Sequence, residues 1–171
     1  MSVPSHSALV TGDTERGPRS AGKTIAPVQT SNAARSRDDL LHAVGQLDRL
    51  LDELEQDGVD EAGRGSARAL VARLDELLDT RFGDQDRRLL ALLRRDADAR
   101  IRQATDTLRV DQEWITGNWR ELRPMLDSIA RSYCWADIDA LRSAAELFTA
   151  LVRDHVGQQA ALLARASPMR S

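Results

Sequence analysis

Residues 98–132 read DARIRQATDTLRVDQEWITGNWRELRPMLDSIARS, and they carry Ile101, Thr105, Leu108, Ile115, Trp119, Leu122, Leu126 and Ile129 in an almost unbroken a/d series. Apolar residues at that spacing line one side of a long amphipathic helix, which Pro124 is expected to kink about one turn upstream. The same pattern recurs on both sides. Upstream, about 66–95 carries Leu70, Leu74, Leu77, Leu89 and Leu92 after a loop holding Gly63 and Gly65. Gly83 inside this stretch costs roughly 1 kcal/mol relative to alanine and marks a candidate local irregularity. Further upstream, about 36–56 aligns Leu40, Val44, Leu47, Leu51 and Leu54, with Ser36 and Asp39 resembling a capping box and Gln56-Asp57-Gly58 as the stop. Downstream, about 137–165 carries Leu141, Ala145, Phe148, Val152 and Leu162, with Asp137 as the N-cap.

Short connections between long helices make each antiparallel to the next, so the expected fold is all-α, an up-down-up-down four-helix bundle over 36–165. Residues 1–35 hold Pro4, Pro18, Pro27 and many Ser, Gly and Thr without apolar periodicity, and are expected to be a disordered tail. Residues 166–171 form a short C-terminal tail in this reading.

Composition narrows the class. The chain has 171 residues, 30% of them charged and 4% aromatic, a profile that suits helices better than a sandwich or barrel. Basic and acidic residues number 24 and 27 and are dispersed, so no single-sign field is available to hold nucleic acid or an anionic membrane. Cys134 is the only cysteine and makes neither an internal disulfide nor a cysteine metal site. No apolar run reaches the ~20 residues that span a bilayer. With no signal-peptide h-region read at the N-terminus, the cytoplasm is the expected compartment. Lys23 is the only lysine, an arginine bias that reads as a GC-rich bacterial genome.

Continuing each stripe through its gaps shows which polar residues point inward. The first helix extends back to Arg37, the second requires Arg81 and Gln85, the third Gln112, and the fourth His155 and Gln159. Residues at one level of two antiparallel helices lie equally far from the connecting turn. The midpoint of 37 and 81 is Val59, that of 81 and 112 lies between Asp96 and Ala97, and that of 112 and 155 lies between Tyr133 and Cys134. All three fall on predicted turns. The six polar residues therefore share one level, the way bundles build cofactor or metal sites from facing side chains.

Those positions carry a resemblance. Arg81-Phe82-Gly83-Asp84-Gln85-Asp86-Arg87-Arg88-Leu89 resembles the H-F-x-x-E-E-x-x-L of the hemerythrin-like (HHE cation-binding) domains. Asp111-Gln112-Glu113-Trp114-Ile115 is similar to their D-H-x-W-I, and Asp154-His155-Val156-Gly157-Gln158-Gln159 to their D-H-x-x-x-E. The likeness spans essentially all of 36–165, and Asn118 to Asp127 share the family's texture. It implies a four-helix bundle with a di-iron cofactor, whose ligand positions fall on Arg37, Arg81, Gln85, Gln112, His155 and Gln159. Only His155 keeps its chemistry. Guanidinium has no lone pair for iron and repels the cation, and glutamine is a weak neutral ligand, so the expectation is a degenerate site with no metal bound. Asp38, Asp84, Asp111 and Asp154 each neighbour a site position and are candidate partners for the two arginines.

Other motifs carry less. Residues 17–24, GPRSAGKT, satisfy G-x-x-x-x-G-K-T, but no strand precedes them and Pro27 is expected to interrupt any helix that follows. His42 lies off the stripe, and His6 lies in the tail. Trp114, Trp119 and Trp135 read as packing residues, since no basic stripe accompanies them for stacking nucleic acid. No nucleophile-base-acid set is present, so no enzyme activity is expected. The expected role is a non-enzymatic structural or regulatory module, with a partner protein bound through the tail or a bundle face. Two alternatives stand beside it. One is an oxygen, NO or iron sensor with a shifted ligand set supplied by His42, His155 and the neighbouring Asp residues. The other is a small-anion site at Arg37, Arg81 and His155.

Overall fold

The computed structural model describes residues 27–131 and 137–166, with side chains except those of 27–33, 57, 84 and 85. Every element among them is helical: α1 (Pro27–Asp57), α2 (Glu61–Thr80), a π-helical segment (Arg81–Gln85), α3 (Asp86–Leu93), α4 (Ala99–Ala130) and α5 (Ile138–Ala166). α2, the π segment and α3 follow one another without a break, so the described residues make four long rods. α1 packs on α2 and α5, and α4 packs on the same two. Among the described residues no helix is long and apolar enough to cross a membrane.

Polar contacts give the running direction. Between α2–α3 and α4, Arg68 Nη2 donates to the Ala130 carbonyl (3.0 Å), Trp119 Nε1 to Asp75 (2.8 Å) and Arg94 Nε to Asp106 (2.7 Å). One set of numbers rises as the other falls, so the two rods are antiparallel. On the opposite side Arg142 bonds Glu55 at 2.6 Å and Arg153 bonds Asp48 at 2.7 Å, which sets α5 antiparallel to α1.

The apolar stripes are buried where the period places them. Leu40, Val44, Leu47, Leu51 and Leu54 of α1, the whole series from Ile101 to Ile129 in α4, and Leu141, Ala145, Phe148, Val152 and Leu162 of α5 all lie inside. Each large aliphatic removed from water contributes about 1.5–3 kcal/mol, so this interior is the main stabilising term. It divides in two. A large cluster reaches from the Gly58 turn to Leu77, Ile115 and Val156, and a smaller one holds Leu89, Leu90, Leu93, Ile101, Leu108 and Leu162.

Several boundaries differ from expectation. α1 begins at Pro27, well ahead of residue 36, so Pro27 opens the helix rather than interrupting it; proline at the first helical position has its φ preset and lacks only an N–H that would be unpaired there. Ser36 therefore lies inside α1 and caps nothing. Residues 1–26, with the 17–24 motif and His6, lie outside the described residues, as do Trp135 and 167–171. Ala166 still belongs to α5. α2 starts at Glu61 because the Asp60 carboxylate accepts from the Gly63 amide at 2.7 Å, so Gly63 and Gly65 are helical. A Cβ at Gly63 would lie 3.3 Å from Asp60 Oδ1 and 3.4 Å from Leu54, so glycine permits this close approach to α1. Gly58, at φ +74°, makes the turn itself. Asp137 does cap α5, accepting from Ala140 at 2.9 Å.

Candidate functional site

The site begins with the π segment, which contains Gly83. Its backbone bonds span five residues, and the Asp86 amide donates to the Arg81 carbonyl. A π turn inserts one residue into the helical repeat, so the side chain that shares Arg81's side of the rod is the fifth onward rather than the fourth. Asp86 joins Arg81 in the interior, at 3% and 1% exposure. The Gln85 side chain lies outside the described residues. The same shift carries on down α3, where Leu93 is buried and Leu92, the residue expected inside, is half-exposed.

Around Asp86 the other helices bring their polar residues together. Gln159 Nε2 donates to Asp86 Oδ1 at 2.8 Å, and Gln112 Nε2 donates to Oδ2 at 2.8 Å. Arg81 Nη2 donates to Gln159 Oε1, and Arg81 Nε lies 3.7 Å from Asp86 Oδ2 as an ion pair. His155, also buried, holds Nε2 3.8 Å from the same oxygen, and the Phe82 ring meets it edge-on at 5.5 Å between centroids. The level deduced from turn midpoints thus exists for Arg81, Gln112, His155 and Gln159. It separates the two apolar clusters.

Arg37 stands apart. Its side chain is 37% exposed and bonds the adjacent Asp38 at 3.0 Å, because its long stem lets the head reach water rather than enter the layer. Of the candidate acids, Asp38 meets an arginine, its neighbour Arg37, and the Asp84 side chain lies outside the described residues. Asp154 accepts from Gln158 at 2.6 Å on the surface, and Asp111 Oδ2 is buried without a hydrogen-bond donor among the described residues. The partner of Arg81 is Asp86, which a fixed helical period passes over. A glycine within four residues of an inward arginine was the one available sign that the register changes.

Burial lowers the Arg81 pKa, opposed by the Asp86 charge and reinforced by the like charge of Arg37. Burial raises the Asp111 carboxyl above the usual range, with His155 pulling it down and Asp154 pushing it up. Among the described residues no group of three or more His, Cys, Asp or Glu is placed to hold a metal ion. His42 is exposed and lines a groove of about 500 Å³ between α1 and α2 with Gln46, Arg49 and Arg73, so the structure does not bring it to His155. Trp119 packs inside as expected, whereas Trp114 is 63% exposed and packs little. No family model, curated protein or solved structure matches the chain.

Proposed function

We propose that the chain is an up-down-up-down bundle of hemerythrin-like type in which the level used for di-iron binding has become an internal ion-pair layer. In this reading it is a non-enzymatic structural or regulatory module of the bacterial cytoplasm that works by engaging another protein, through the residues ahead of α1 or a helix face. The observation that carries the reading is the Asp86 carboxylate, shared by the Arg81 guanidinium and the Gln112 and Gln159 amides at the one polar level between two apolar clusters. A guanidinium within 4 Å of the layer's carboxylate supplies the positive charge that a metal would otherwise supply, and opposes a second cation.

The sensor alternative requires His42 and His155 in one ligand set, and their separate locations count against it. The alternative in which Arg37 and Arg81 grip an anion together loses Arg37 to its pair with Asp38. Elemental analysis of protein purified from iron-supplemented cells tests the main reading. It predicts substoichiometric iron and no oxo-bridged di-iron absorption; two irons per chain would overturn it.

A further inference from the structure

Hydrogen-bond capacity in the polar layer does not balance. Both Asp86 oxygens already accept from amides, and Gln159 Oε1 accepts from Arg81 Nη2. Arg81 Nε and Nη1 and both His155 nitrogens have no hydrogen-bond partner among the described residues, although both residues are 1% exposed. A guanidinium offers donors alone, and a neutral imidazole offers one donor and one acceptor. The unused capacity is therefore mainly N–H. Arg81 Nε and His155 Nε2 flank one carboxylate oxygen at 3.7 and 3.8 Å, beyond hydrogen-bond length, so they converge without closing on it. What completes such a corner is an oxygen acceptor.

We infer that this corner is a binding site for a small monocarboxylate, of formate or acetate size, whose oxygens accept from Arg81 and His155. The inference rests on the layer being metal-free, as proposed above. Asp86 already balances the Arg81 charge, so the free N–H donors rather than net charge hold the ligand, and the repulsion from the carboxylate, which grows with ligand charge, disfavours a dianion more than a monoanion. A route is present. A surface groove of about 320 Å³ is lined by Phe82, Arg109, Gln112, Glu113, Thr116 and Arg120. Its two arginines favour an anion at the mouth. Its wall is the layer's own boundary, since Gln112 bonds Asp86 and Phe82 packs on His155. Entry from the groove to the corner requires these two side chains to rotate.

The test is a titration of the isotopically labelled full chain, assayed for iron beforehand, with sodium formate, acetate and phosphate against sodium chloride at matched ionic strength. The Arg81 Nε–H and His155 ring resonances are followed by NMR. Formate and acetate are expected to move both sets saturably and phosphate less. His155→Phe, which keeps an aromatic ring against Phe82, is expected to weaken formate binding by about tenfold or more, the loss of one hydrogen bond to an anion. Shifts that follow ionic strength alone, tighter binding of phosphate, or an unchanged affinity in His155→Phe would overturn the proposal. Two irons per chain would instead overturn the reading of the layer, whereas iron-free protein without a formate response overturns the ligand alone.

Discussion

Removing the Asp86 carboxylate leaves the Arg81 guanidinium inside the molecule beside amides, with its like-charged neighbour Arg37 still in range. Breaking one side of a buried pair costs about 3–5 kcal/mol, far more than the pair contributes over apolar substitutes. Asp86→Ala is therefore expected to lose that much in denaturant unfolding, while Arg81→Met combined with Asp86→Leu recovers most of it; a loss below about 1 kcal/mol in the single variant would contradict the pair's role. Asp111 tests a different debt. Its pKa is raised in the folded state, so the folded protein holds the proton to higher pH than the unfolded chain does. Stability from this group is present below the ordinary carboxylate range and is lost as pH rises through the raised value. Asp111→Asn should then stabilise at neutral pH, and the gain should vanish on acidification below that range. A gain independent of pH would point to packing instead of charge.

At the scale of the helix, the decisive feature is one inserted residue. A fixed period places every buried residue of α1, α4 and α5 that the stripes name, because those helices keep a regular repeat from end to end. In the second rod the repeat holds through Arg81 and then slips, so Leu92 was read as inward where Leu93 is buried, and the buried Asp86 was not named. Sequence periodicity carries no term for a π turn, and Gly83 announces flexibility without its direction. The early start of α1 was equally hidden, since 27–35 has no apolar stripe and helix there rests on backbone propensity and the Pro27 start. Gly83 has no positive φ, and an added Cβ meets nothing within 4 Å. Gly83→Ala is thus expected to stabilise by up to about 1 kcal/mol without moving the layer, read as a higher thermal midpoint. A marked loss would show that the π segment requires glycine.

Across the whole molecule the polar layer sits between two apolar clusters that, among the described residues, are built from Leu40 onward. Deleting residues 1–26 is accordingly expected to leave the thermal midpoint nearly unchanged, whereas a fall of several degrees would show that they cover part of the bundle. The stripes in the sequence sufficed for four rods and for the height of the layer, because both follow from period and turn position. What fills the layer was only partly legible, since it depends on which carboxylate reaches Arg81 and on Arg37 turning to Asp38. In the proposed reading, an internal ion pair stands where a metal centre would otherwise be. Thermal unfolding of the full chain under anaerobic conditions, with and without excess ferrous iron, tests it most directly, because a ligand that binds only the folded state raises the midpoint saturably. The account predicts no saturable rise with iron; a rise that saturates at two irons per chain would contradict it.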